Sequence, residues 1–170
     1  MVNSVFGKHL YQGWGEFMAD LRYIMARRPL MRATMRGGLV SFAFRERLMM
    51  TVTQVNGCRY CSYFHAKEAA KAGIPAEELR TLLEGQVPAD SPADELPAIV
   101  YAQHWAESNA QPAAQALAQL EQVYGIERAE AIHLVLRVIR VGNLLGNTWD
   151  YVLFRLGLLK VDTGLGAGSA

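Results

Sequence analysis

The stretch that decides the fold runs from Gly38 to His65 and reads GLVSFAFRERLMMTVTQVNGCRYCSYFH. After Gly38 it continues to Asn56 without a helix breaker and with apolar residues at helical spacing, which predicts an amphipathic helix. Asn56-Gly57 is a turn signal, because asparagine is a good N-cap and glycine lets the chain reverse. We therefore predict two helices that fold back on each other, with Asn56 as the N-cap of the second helix and Cys58 in its first turn.

The second helix of this hairpin carries the only two cysteines of the chain, Cys58 and Cys61, followed by His65. If one helix holds all three, the helical period places them in one stripe. Two thiols at i and i+3 can close a disulfide with modest adjustment. A free cysteine has a pKa near ~8.5, which the start of a helix or a nearby histidine lowers. The pattern predicts a redox site with a reversible Cys58–Cys61 disulfide.

Glu46 is the third element of this site. On a helical wheel it lies among the apolar residues Leu39, Phe42 and Met49 of the first helix. A carboxylate on an apolar stripe is costly unless a partner stabilises it. Because the hairpin would bring this stripe against the cysteine stripe, we expect Glu46 to orient His65 or relay its proton.

Three other interpretations of the cysteine pair are weaker. A thioredoxin-type motif needs a βαβ neighbourhood, and the surrounding sequence has helical period. A structural zinc site wants four ligands, whereas this chain offers two cysteines, His65 and at best Glu46. Incidental buried cysteines would seldom come with a histidine and a glutamate at these offsets. Tyr60, between the thiols, either lines the approach of a substrate or contributes to packing.

Taken together, the spacing of these residues resembles the signature of the alkylhydroperoxidase D-like branch of the carboxymuconolactone decarboxylase family. The pattern consists of Glu46, eleven intervening residues, Cys58-x-x-Cys61, three further residues and His65. We extend the resemblance over residues 35–160. It implies an all-α fold, a compact bundle of several helices that assembles into a homo-oligomer. The chain departs from the pattern at Tyr60, where the founding alkylhydroperoxidases have a histidine.

The resemblance also implies a chemistry. Cys61 would be the attacking thiol, which a small hydroperoxide oxidises to a sulfenate, and Cys58 would resolve that sulfenate to the disulfide. His65 and Glu46 would handle the protons, and an external thiol reductant would regenerate the pair, so that neither a metal nor an organic cofactor is needed. The residues alone do not decide which thiol attacks first. Cys58 lies closer to the positive end of the helix dipole, whereas Cys61 is better placed to exchange a proton with His65.

The implied function is an antioxidant one, that of a thiol-dependent peroxidase or related disulfide oxidoreductase. Two rivals stay open. One is a lactone enzyme of the decarboxylase branch of the same family, and the other is a non-enzymatic, redox-sensing oligomer.

Composition limits the partners and the organisation. With 170 residues, 51% of them hydrophobic, the chain fits one compact domain at residues 1–162, ahead of a tail at 163–170 that we expect to be disordered. Seventeen basic and sixteen acidic side chains give no nucleic-acid footprint, and the short clusters Arg27-Arg28 and Arg45/Arg47 are interpreted as solvated faces or interface rims. Without an apolar span or a signal-peptide pattern, we expect a cytoplasmic location and no membrane contact.

Outside the hairpin the sequence predicts further helices. The first carries Leu10 to Met25 and stops before Arg28; others cover 76–84, begin at a capping box at Ser91, and cover 112–124 and 127–159. Gly142 and Gly146 suggest a close helix approach or a kink. The patch from Asn143 to Asp150 is interpreted as structural rather than as a cover of the site. Apolar residues left over on the first and last helices favour a homo-oligomer.

Overall fold

The computed structural model describes residues 6–159, and the regular secondary structure of this part of the chain is helical throughout. Between these limits seven α-helices follow one another: α1 (Trp14–Ala26), α2 (Arg28–Met35), α3 (Phe42–Asn56), α4 (Arg59–Lys71), α5 (Ala76–Leu83), α6 (Leu96–Glu107) and α7 (Ala114–Arg155). The prediction of an all-α fold is confirmed. The predicted disordered tail at 163–170 lies outside the described residues.

Helix α3 forms the centre of the fold, because α4, α6 and α7 all pack against it. Its side chains Phe44, Leu48 and Val52 are completely buried and share one core with Trp105 of α6 and Leu136 of α7. Each buried apolar side chain of this size contributes about 1.5–3 kcal/mol relative to an exposed one. A helix held in this way presents its polar side chains at fixed positions.

The turn between α3 and α4 differs from the prediction in one detail. Asn56 is the last residue of α3 rather than the N-cap of the next helix, and Gly57 ends α3 in the left-handed region at φ 74°. Cys58 takes the N-cap position of α4 instead. The cap moves by two residues because the positive φ of glycine lets the chain leave α3 only after Asn56.

The basic cluster around Arg47 is also not a solvated face. The Arg47 guanidinium is buried and donates to Glu78 at 2.6 and 2.9 Å and to Glu95 at 3.0 Å. Ser91 donates its hydroxyl to the same Glu78 at 2.6 Å. Because this tertiary contact occupies the Ser91 side chain, the predicted capping box does not form, and α6 begins only at Leu96.

Helices α2 and α7 show how the structure uses a proline and several glycines that the sequence singled out. Helix α2 was not predicted, since Pro29 was interpreted only as a stop signal; the structure places it in the first turn of α2, where proline is tolerated. Helix α7 is broken at Gly125 (φ 75°, ψ 160°), which confirms the predicted division there. The chain stays helical through Gly142 and Gly146. Within residues 6–159, every helix is too short or too polar to cross a bilayer.

Candidate functional site

The two cysteines lie at the start of α4 as free thiols. Cys58 Sγ accepts a hydrogen bond from the backbone N–H of Cys61 at 3.3 Å, so the N-cap of the helix is itself a sulfur atom. Cys58 is only 1% exposed, whereas Cys61 is half-buried. The i, i+3 pair is therefore assembled at a helix start as predicted, with one sulfur shielded and the other accessible.

Glycine at position 146 allows α7 to approach this pair. A Cβ at Gly146 would lie 3.1 Å from Cys58 Sγ and 3.7 Å from a ring carbon of Tyr60. Real Cβ atoms rarely have neighbours as close as the first of these, so a larger residue would push against the shielded sulfur. Of the two explanations offered by the sequence for this glycine, the close approach is the right one.

The two thiols differ in acidity. The pKa of Cys58 is lowered to about 6, chiefly because the Cys61 thiol donates a hydrogen bond to its sulfur; burial opposes this, and the backbone N–H groups of Cys61 and Tyr60 and the charge of Lys8 assist it. The pKa of Cys61 is raised, because its proton is held by Cys58 and because it is buried. These opposite directions place the negative charge of a singly ionised pair on Cys58, with one proton shared between the two sulfurs.

Glu46 and His65 face each other across α3 and α4. Glu46 is 1% exposed, and its Oε2 lies 2.7 Å from Nδ1 of His65. The other oxygen, Oε1, accepts hydrogen bonds from the Arg45 guanidinium at 2.8 and 3.0 Å. Burial would raise the pKa of Glu46, but the hydrogen bonds from His65 and Arg45 hold it below its usual value. The contact between Glu46 and His65 is the one that the sequence suggests. Arg45, which the sequence assigns to a solvated face or interface rim, is an additional partner of Glu46.

Cys61 and His65 open into one cavity of about 390 Å³ between α3, α4 and α7. The remaining described residues that line it are mostly apolar: Met49, Tyr60, Phe64, Val138, Ile139 and Gly142. Neither a lysine nor an arginine is among the lining residues that the structure describes, and the shielded Cys58 does not reach the cavity. A larger groove of about 540 Å³ between α6 and α7 contains His104 but neither cysteine.

Tyr60 combines the two roles that the sequence left open. Its ring lines the cavity and is 46% exposed, while its hydroxyl donates to the buried carboxylate of Asp150 at 2.9 Å. Arg59 donates to the same Asp150 oxygen at 2.9 Å, and Lys8 donates to the other oxygen at 2.6 Å. Asp150 thus fixes both residues that separate the cysteines. Trp149, which the sequence grouped with Asp150, is 59% exposed.

Two asparagines of α7 support the hairpin from behind. Asn143 is completely buried, donates to Thr53 at 3.1 Å and accepts from the Asn56 amide at 3.0 Å. It also forms a hydrogen bond with Cys61 that favours the thiolate of that residue. Asn147 donates to the Asn56 carbonyl at 2.7 Å. The sequence had interpreted this patch as structural, and its side chains do hold the hairpin, but it also reaches the thiols.

His104 and His133 lie apart from this arrangement. His133 is buried against Tyr101, 2.7 Å from its hydroxyl, and burial lowers the pKa of His133 to about 4. Among residues 6–159, no three histidine, cysteine or carboxylate side chains are grouped in a way that could hold a metal ion. The geometry therefore gathers Cys58, Cys61, His65 and Glu46 in one region, where Cys61 and a hydrogen-bonded imidazole line the same apolar cavity.

Comparison with protein families gives one match. Residues 25–108 match the family model described as the carboxymuconolactone decarboxylase family. The matched segment contains α3, α4 and all four candidate residues, whereas α7 and the N-terminal residues lie outside it. The comparisons with curated proteins and with solved structures each gave no significant match.

Proposed function

We propose that the chain is a thiol-dependent peroxidase similar to the alkylhydroperoxidase D-like branch of the carboxymuconolactone decarboxylase family, whose model residues 25–108 match. The observation that supports this function best is the cavity that Cys61 and His65 share, while the buried Cys58 sulfur accepts the backbone N–H of Cys61. A substrate in this cavity would contact the Cys61 sulfur but not the buried Cys58 sulfur.

The first half of the proposed cycle uses the shared proton of the thiol pair. When the proton moves from Cys61 to Cys58, the negative charge passes to the accessible sulfur. The Cys61 thiolate attacks the distal oxygen of a hydroperoxide, the O–O bond breaks, and a sulfenic acid forms on Cys61. The departing alkoxide takes up one proton to leave as the alcohol, and His65, oriented by Glu46, is the group placed to deliver it.

The second half closes the disulfide. The Cys58 sulfur attacks the Cys61 sulfenic acid, an S–S bond forms, and the hydroxyl leaves with the Cys58 proton as water. In total, the singly charged dithiol, one hydroperoxide and one proton give the disulfide, an alcohol and water. An external thiol reductant then returns two electrons and restores the pair. The two sulfurs suffice for this cycle, so we propose no metal or organic cofactor.

The lower pKa of Cys58 does not reverse this order. Acidity places the resting charge on Cys58, but the 1% exposure of that residue keeps its sulfur from a peroxide. The sulfur that reacts first must be reached first. Charge can pass to Cys61 by movement of the shared proton, whereas a peroxide could reach Cys58 only if the packing against Gly146 opened. We therefore assign attack to Cys61 and resolution to Cys58.

The lining of the cavity suggests the class of substrate. Met49, Phe64, Val138 and Ile139 offer apolar contact to an alkyl or aryl group, while a charged substrate would find no lysine or arginine among the described lining residues. This favours an uncharged organic hydroperoxide. It disfavours a lactone that carries carboxylates, for which cationic side chains would be needed.

One experiment separates the proposal from its rivals. Consumption of an organic hydroperoxide with excess dithiol should be catalytic in the wild type and abolished in Cys61→Ser. In a parallel assay without dithiol, Cys58→Ser should consume one equivalent and stop at the sulfenate. Stoichiometric oxidation without turnover would indicate a redox sensor instead. Absence of any thiol oxidation by peroxide would contradict the proposal and favour the lactone reaction. A reducing, cytoplasmic location would suit the reduced pair and stays a prediction.

A further inference from the structure

The N-terminal segment lies against the turn that carries the cysteines. The backbone N–H of His9 donates to the Asn56 carbonyl at 3.2 Å, and its carbonyl accepts from Asn147 at 2.9 Å. The Lys8 side chain passes over Gly57, where an added Cβ would lie 3.4 Å from Lys8 Cγ. We call residues 7–9 the N-terminal strap. It begins well before residue 25, where the family match starts.

The strap delivers a positive charge to a buried carboxylate. Lys8 Nζ lies 2.6 Å from Asp150 Oδ2, and the Asp150 side chain is 1% exposed. Arg59, from between the cysteines, binds the other oxygen at 2.9 Å. One carboxylate therefore holds two cations, one from the residue that follows Cys58 and one from the strap that passes over Gly57. The local sum of these three groups is one positive charge.

We propose that Lys8 and Arg59, held together by Asp150, are positioning residues whose surplus positive charge favours the dithiol state of the Cys58–Cys61 pair over its disulfide; this inference rests on the proposed redox function of the pair. Lys8 and Asp150 lie outside the segment that matches the family, whereas Arg59 lies inside it.

The physical reason is a difference in charge between the two redox states. In the dithiol state the pair carries one negative charge, which the surplus positive charge compensates. Oxidation removes two electrons and one proton from this singly charged pair, and the neutral disulfide leaves the positive surplus uncompensated. A disulfide whose reduced form is stabilised is a stronger oxidant, so an external thiol reduces it more easily.

Other charged groups near the pair do not supply this surplus. Glu46 is balanced by Arg45 and by its hydrogen bond with His65. Tyr60 contributes a neutral hydroxyl to Asp150. Lys8 is among the groups that lower the pKa of Cys58, which agrees with the geometric argument. Arg59 is half-exposed and therefore more strongly screened than Lys8.

The test is the redox equilibrium of the purified full chain with dithiothreitol of defined oxidation ratio, read by alkylation of free thiols and intact mass. Lys8→Gln should shift the equilibrium constant about 5- to 10-fold towards the disulfide, where tenfold corresponds to about 30 mV. Arg59→Gln should shift the equilibrium constant in the same direction but by less. Lys8→Arg keeps the charge and should retain the wild-type value. Arg80→Gln removes an equal charge from an exposed ion pair on α5 and should leave the equilibrium unchanged.

The outcomes separate the two proposals. If the wild type forms no reversible disulfide, the proposed function fails. If the disulfide forms and Lys8→Gln matches the wild type, the function stands and the role of the strap is wrong. A shift shared by Arg80→Gln would show a general charge effect and would also overturn it. Should Lys8→Gln fold poorly, as circular dichroism would reveal, the surface variant Arg59→Gln decides alone.

Discussion

Gly146 and Cys58 touch across two helices that are far apart in the chain, and this contact leaves no room for a methyl group beside the sulfur. Alanine is favoured over glycine in a helix interior by about 1 kcal/mol. At Gly146 we expect this gain to be lost, because a Cβ 3.1 Å from Cys58 Sγ displaces a buried atom. Gly146→Ala should therefore be no more stable than the wild type and should oxidise more slowly with peroxide.

Gly142 offers the matched comparison in the same helix. Among the described residues, no heavy atom outside its own helix backbone lies within 4 Å of the position that a Cβ would take. Gly142→Ala should stabilise the protein by about 0.5–1 kcal/mol in urea unfolding. Equal stabilisation by Gly146→Ala and Gly142→Ala would show that the Cys58 side chain shifts at little cost and would contradict the prediction.

The disulfide itself is the second prediction. One equivalent of organic hydroperoxide should remove both free thiols and reduce the intact mass by two hydrogens, because cysteines at i and i+3 at the start of α4 can close a disulfide with modest adjustment. Thiol titration and mass spectrometry under non-reducing conditions check this. Persistent thiols, or covalent dimers alone, would contradict an intramolecular bond.

The third prediction concerns pH. The thiol pair should react with iodoacetamide with a midpoint near the lowered pKa of about 6, instead of near the ordinary cysteine value. Cys58→Ser should move the midpoint to higher pH, because Cys61 must then lose its own proton before it can react. A wild-type midpoint at or above that of free cysteine would show that the thiolate is not stabilised.

The same shift makes the stability of the reduced protein depend on pH. The folded pKa of Cys58 lies below the unfolded value, so its stabilising contribution is fully present above the unfolded pKa and is lost as the pH falls through about 6. Thermal unfolding of the dithiol form should show this loss. The disulfide form has no thiolate to protonate and should lack it.

Glu46→Gln provides the fourth prediction. The amide keeps the shape of the side chain but removes the charge that orients His65, and turnover should fall about 10- to 100-fold. Because Arg45 would lose its carboxylate partner, we also expect a modest loss of stability. Arg45→Gln leaves the contact between Glu46 and His65 in place and should cost stability with a smaller effect on turnover. Full activity of Glu46→Gln would make this carboxylate purely structural.

The fifth prediction is a homo-oligomer of closed symmetry. Trp14 and Trp149 are 73% and 59% exposed, and an isolated domain of about this length buries only about two-thirds of its unfolded surface. Light scattering at micromolar concentration should give a multiple of 18.8 kDa. A monomeric mass at every concentration would refute it.

The sequence predicted those parts of the site that depend on local spacing. Cys58, Cys61 and His65 share one helix start, and Glu46 reaches them through a single turn, so helical period and one glycine sufficed. It could not predict Asp150, because a contact between residues 59 and 150 leaves no trace in either neighbourhood.

Local signals also failed where a tertiary partner competed for the same side chain. Ser91 has the sequence of a helix cap, yet its hydroxyl binds Glu78, which in turn neutralises the buried Arg47. Arg45 is interpreted from the sequence as part of a solvated face or interface rim, yet it binds Glu46. Its long side chain folds back along the helix to reach the neighbouring carboxylate, which a helical wheel cannot represent.

A sulfur at the N-cap of α4 couples the order of a helix end to its oxidation state. Once Cys58 is bonded to Cys61, its sulfur is no longer an anion and accepts the Cys61 N–H more weakly. Losing a helix cap costs roughly 0.5–2 kcal/mol, so the first turn of α4 should fray more often in the oxidised chain. Amide hydrogen exchange at residues 59–61 would then accelerate on oxidation. Such breathing would expose the disulfide to an incoming thiolate at the one stage of the cycle when a reductant has to reach it.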